Sequence, residues 1–143
     1  ATLTAGNSSS TSYAGSIIGG GNLTKVGSGT FTLSSASTLT GTTTVSAGRL
    51  ATGAALASSN VNVSGGVFAT SAADILGSSA VVTLSTGGTY SLGGSDTIGA
   101  VSGTGGTLAI GANTLTVASN SHVEFDGAIT ADRDRHARGP GDR

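Results

Sequence analysis

The chain has 143 residues, enough for one ordinary domain, with seven acidic against six basic side chains. Residues 1–130 hold only Lys25 and Arg49 against Asp74, Asp96, Glu124 and Asp126, too few cations to neutralise a run of phosphates, which excludes nucleic-acid binding. No apolar run approaches the roughly 20 residues of a membrane helix, so no membrane insertion by this segment is expected, and with Cys absent no disulfide holds it.

Gly, Ser and Thr make up nearly half of the chain, a composition usual for linkers. Disorder, however, goes with high charge and low hydrophobicity, whereas here charged residues are 9% and hydrophobic ones 36%. Helix formers are scarce: Lys and Glu occur once each, and Met is absent. Thr and Val, which suit a pleated strand, are plentiful. The class expected is all-β.

Strands are expected at a series of alternating runs in chain order. They carry Phe31 and Leu33, Val61 and Val63, Val82 and Leu84, Tyr90 and Leu92, Leu108 and Ile110, Leu115 and Val117, and Val123 and Phe125. Each run places apolar side chains at i and i+2 with a polar residue or alanine between, the period of a half-buried strand. GSG, SGG, TGG, LGG and SGTGG fall between the runs and supply turns. Turns recur every seven to twelve residues, and proline is confined to Pro140.

Sandwiches and barrels share this spacing, but they commonly carry large aromatic anchors, and only two Tyr and three Phe occur here. A solenoid has a narrow interior that aliphatic stacks fill, and it repeats. Residues 2–17 align without gaps on 114–129, a shift of 112, with six identities. A lone coil of about 20 residues orders more backbone than its few buried side chains offset, so each coil needs neighbours above and below. About six coils at about 4.8 Å spacing would make a stub about 30 Å tall.

The stretch NLTKVGSGTFTLSSASTLTGTTTVSAGRL, residues 22–50, resembles the autotransporter-associated β-strand repeat, also called the passenger-associated transport repeat. The pattern rests on Leu23, Thr24, Lys25, Gly27, Gly29, Thr30, Leu33, Thr40, Gly41, Thr43, Thr44, Val45, Gly48 and Leu50. Residues 91–117 look like the coils between such repeats. The resemblance implies a right-handed parallel β-helix, the passenger of a type V secreted protein of Gram-negative bacteria, located at the cell surface or outside the cell. It also implies a stalk or adhesin scaffold rather than an active site; no catalytic residue, cofactor or metal is expected, and the expected partners are other copies of itself or a host or cell surface. Within the repeat, Leu23, Val26, Phe31, Leu33, Val45 and Leu50 are expected to point inward. Thr and Ser are expected to coat the outside, with Gly41 and Gly48 at corners.

The regular helix is expected to span residues 1–130. Residues 131–143 hold four Arg and three Asp, and the 112-residue shift would put Arg135, Arg138 and Arg143 at core positions, where unpaired charges do not fit. This tail reads either as an extraneous addition or as a charged cap or contact surface. With no initiating Met and no signal peptide, the chain reads as a mature piece or an excised fragment.

His122, Glu124 and Asp126 alternate along one strand face, a spacing that fits a metal but suits a solvent face better. Asp96 in GGSDTIG is an incomplete calcium nonapeptide. The only candidate bases for a Ser-His-Asp triad are His122 and His136, and no Gly-x-Ser-x-Gly elbow occurs. The favoured reading is therefore structural. Its rivals are a self-assembling extracellular fibre built by head-to-tail stacking and, less favoured, a carbohydrate-active β-helix enzyme.

Overall fold

The computed structural model describes residues 2–118 and 127–131. Short strands follow one another without a helix among the described residues. They are β1 (Thr2–Ala5), β2 (Thr11–Tyr13), β3 (Asn22–Lys25), β4 (Thr30–Leu33), β5 (Thr42–Val45), β6 (Arg49–Thr52), β7 (Asn60–Val63) and β8 (Gly66–Thr70). After these come β9 (Val81–Leu84), β10 (Gly88–Ser91), β11 (Asp96–Ile98), β12 (Ala100–Gly103), β13 (Thr107–Gly111), β14 (Leu115–Val117) and β15 (Ala128–Ala131).

Every pairing between these strands is parallel. One sheet runs β1-β3-β5-β7-β9-β12 and a second runs β2-β4-β6-β8-β10-β13-β15. A third face pairs β11 with β14 and continues down the stack as single bridges, Ser37 to Leu56 and Leu56 to Leu76. The chain therefore visits three faces per turn and climbs one rung each time, a β-solenoid of about six turns. In the first sheet the stacked partners Leu3, Leu23, Thr43, Val61, Val82 and Val101 lie 18–21 residues apart. That period explains why the 112-residue self-similarity is not a structural repeat. Thr2–Ala5 belongs to the six-stranded sheet, whereas its sequence counterpart around Leu115–Val117 pairs with β11 on another face.

The core is a set of columns running along the axis. In the second sheet Phe31, Leu50, Phe68, Tyr90 and Leu108 stack in register. All but the half-buried Phe31 are buried. Of the alternating pairs read from the sequence, Val61 and Val63, Val82 and Leu84, and Tyr90 and Leu92 are fully inward. Ile110 and Leu115 are half-buried against the core, and Val117 is exposed at the last described turn of its face. Val123, Phe125 and the tail from residue 132 lie outside the described residues.

Alternation along β4 places Leu33 inside with no exposed surface and Thr32 on the opposite face. Leu33→Asp puts a charge among apolar side chains and is expected to cost more than about 4 kcal/mol. Thr32→Asp should stay within about 1 kcal/mol. Thermal unfolding followed by circular dichroism separates the two, and equal losses would contradict the inward register.

Candidate functional site

Residues 22–50 form one coil and the start of the next, and each motif residue there does a packing job. Leu23, Leu33, Val45 and Leu50 are buried in the core, while Thr24 and Thr44 sit half-buried between them on the outer side of the first sheet. Thr43 shares its face with Val45 and is buried, its Oγ1 lying 2.6 Å from the Oγ of Ser58, buried at the end of the third face of the same turn. Thr30, on β4, receives support from the coil below, its N–H donating to Ser10 Oγ at 3.4 Å. Thr40 closes the third face by donating its N–H to Gly19 O at 3.0 Å and accepting from Ser59 Oγ at 3.0 Å.

Two of the motif glycines are required by space rather than by flexibility. A Cβ at Gly29 would strike the Ser9 carbonyl, and one at Gly41 would strike the Gly21 carbonyl and the Asn22 side chain. Coil backbones touch at these corners. Gly48 adds a left-handed φ of 67°, a region that β-carbon sterics disfavour.

Lys25 departs from the expected arrangement. Val26 is not the inward residue of β3; Lys25, which shares the parity of Leu23, is, and it exposes none of its surface. In its column it lies between Ala5 and Val45. The alkyl stem fills the apolar column and the ammonium turns into the corner between the first two sheets. There Nζ donates to Val26 O (2.6 Å), Gly27 O (2.9 Å) and Ala47 O (3.4 Å). An ammonium has three donors and no acceptor, so three carbonyls from two successive corners use all of them. Burial pulls the Lys25 pKa below its ordinary value of 10.5. A Cβ at Gly48 would come 2.8 Å from Nζ, so the motif glycine and the motif lysine share one small chamber.

The same parity places other polar groups inside: Ser37, Thr52, Ser58, Thr70 and Asp96 are buried. Asp96 accepts from Leu76 N at 3.0 Å through one oxygen and from Thr97 N at 2.8 Å through the other. Its carboxylate therefore ties one coil to the next on the third face, at the point where the ladder passes from single bridges to the β11–β14 pairing. Two backbone N–H groups occupy it, and it serves as a staple. Tyr90 packs on Phe68 with ring centroids 5.5 Å apart, and its buried hydroxyl has no hydrogen-bond partner among the described residues. Burial, together with the nearby Asp96 carboxylate, raises its pKa.

The remaining candidates do not assemble into a site. Asp74 is exposed with a φ of 57°, while Asp96 is buried and spent on backbone. His122, Glu124, Asp126 and His136 lie outside the described residues. Among the described residues no three potential metal ligands cluster. The inward polar residues escaped a reading by hydropathy, although strict i, i+2 counting from Leu23 and Val45 would have found Lys25 and Thr43.

Residues 23–51 match the family model of the passenger-associated-transport-repeat. No curated protein and no solved structure matches the chain. The matched segment coincides with the coil built around Lys25, and repeat and fold together fit a segment of an autotransporter passenger.

Lys25→Met keeps the stem but strands three partly buried carbonyls and should cost about 1–3 kcal/mol. Gly48→Ala, strained at its left-handed φ and pressed on the Gly27 and Gly29 carbonyls as well as on Nζ, should cost at least as much. Because burial lowers the folded-state pKa, the unfolded chain binds more protons in the window just below 10.5, so stability rises with pH there. Denaturant titrations across that window should show the slope in the wild type and its loss in Lys25→Met; identical slopes would refute the buried ammonium.

Proposed function

We propose that this chain is a non-catalytic structural segment of an autotransporter-type passenger, a stalk or adhesin scaffold displayed at the surface of a Gram-negative bacterium. The observation that carries the reading is the coincidence of the repeat match at 23–51 with a coil whose motif residues serve coil-on-coil packing. A passenger that folds after crossing a membrane is served by coils that each add to the last by backbone pairing and core packing. The chain has short strands, small corners and no disulfide to be made.

The chemistry of the interior supports the same role. Its buried polar groups are engaged with backbone or with one another, the Tyr90 hydroxyl excepted. The outer face of the first sheet presents Thr24, Thr44, Asn62, Thr83 and Ser102 in register, a neutral hydrated surface suited to a spacer.

Fusion of the chain to a C-terminal outer-membrane translocator barrel in a Gram-negative host tests the reading. The expected product reaches the outside of intact cells and yields, under external protease, a resistant core starting near Thr2 and extending to about Ala131. Retention in the periplasm, or a surface product digested throughout, would sink it. Gly48→Ala should slow acquisition of resistance without blocking export.

A further inference from the structure

Two polar groups enter the core of the same turn. Along the second sheet the inward column Phe31, Leu50, Phe68, Tyr90 and Leu108 carries a single hydroxyl, that of Tyr90, whose side chain exposes none of its surface. A few residues later Asp96 enters from the third face, the only buried carboxylate among the described residues. Both are out of place in a core of Leu, Val and Ile, where phenol and carboxylate oxygens are ordinarily hydrogen-bonded.

The protein leaves both groups short of partners. The Tyr90 hydroxyl has none, and it is the only buried side-chain polar atom among the described residues of which that is true. Its ring is held in place, packed on Phe68 with centroids 5.5 Å apart and with Leu108 on the next rung. Asp96 accepts one hydrogen bond at each oxygen, from Leu76 N at 3.0 Å and from Thr97 N at 2.8 Å. A carboxylate has about four lone-pair sites, so the two backbone amides leave room for a further donor. Leu115, its register partner on the following rung, has no donor in its side chain.

The two groups also face each other. The hydroxyl makes no direct hydrogen bond to the carboxylate, yet after burial it is the Asp96 charge that raises the Tyr90 pKa. One bridging water spans such a gap, about 2.7–2.8 Å from each oxygen. Buried waters in folded proteins sit where the chain leaves polar groups unmatched.

We infer that Tyr90 and Asp96 hold one internal water molecule, which accepts from the Tyr90 hydroxyl and donates to the Asp96 carboxylate. The bridge joins the second sheet to the third face across the interior of one turn. Asp96 already ties that turn to the previous one through Leu76, and the water carries the tie on to the neighbouring sheet. The site depends on the core alone and holds whether or not the chain is exported.

High-resolution crystallography and thermal unfolding of the purified chain test this together. The wild type should show a water within hydrogen-bond distance of Tyr90 Oη and an Asp96 oxygen, and Tyr90→Phe should lose it. Tyr90→Phe should also melt a few degrees lower. A hydroxyl with no partner predicts the opposite sign, because deleting an unmatched buried polar atom relieves a cost. Asp96→Asn, alone and combined with Tyr90→Phe, completes a double-mutant cycle in which the losses should be less than additive. If Asp96→Asn does not fold, the crystal structures and the Tyr90→Phe melting temperature decide by themselves. A dry site, a direct contact between hydroxyl and carboxylate, additive losses, or a Tyr90→Phe variant as stable as the wild type would each overturn the inference.

Discussion

Parallel pairing between coils, rather than within them, is the constraint on which the rest of this structure depends. A strand of three to five residues has no partner in its own turn; its N–H and C=O groups are satisfied by the strands one turn before and one turn after. Because an unpaired buried amide costs roughly what a lost hydrogen bond would, every turn must return to the same three faces at nearly the same residue count. The 18–21-residue spacing in the first sheet follows from that requirement. So does the identity of the corner residues, since coils one rung apart leave no room for a Cβ where one corner crosses the next.

A narrow interior shared by three sheets sets its own chemistry. Parity along a strand decides which side chains enter, and small polar residues enter with the apolar ones. They are tolerable because carbonyls and hydroxyls of the same or adjacent rungs lie within reach. Thr43 finds Ser58, and Asp96 finds the Leu76 and Thr97 amides. Lys25 gathers three carbonyls from two corners. The Lys25–Ala47 and Asp96–Leu76 links cross between coils, so they hold register as well as satisfying polar groups, and a one-residue slip would undo them. The lysine and Gly48 then read as one device, a cation filling a chamber that any larger corner residue would close.

Much of this was legible in the amino-acid sequence. Alternating pairs such as Val61 and Val63 or Val82 and Leu84 marked strands because period-2 apolar spacing has one physical meaning at that length. The repeat motif named the fold, and Gly41 and Gly48 marked corners. Less legible was anything set by coil closure. The 112-residue self-similarity pointed to a period the backbone does not use. Val26 was favoured over Lys25 because hydropathy was weighed above parity, and a charged side chain is ordinarily placed outside. The inward roles of Ser37, Ser58 and Asp96 depend on partners one rung away, about 20 residues along the chain, and no local pattern reports them.

A molecule built this way climbs one rung per turn, so its height follows from its residue count. The most direct measurement of the central claim is the distance between spin labels at Thr4 and Ser102, determined by pulsed electron resonance. These positions are linked through Thr24, Thr44, Asn62 and Thr83, five rungs in one column. The stack predicts a narrow distribution centred on about 24 Å, from about 4.8 Å per rung, with labels at Thr24 and Thr83 about 14 Å apart on the same scale. A broad distribution, or two distances that fail to scale with the number of rungs, would contradict the parallel stack.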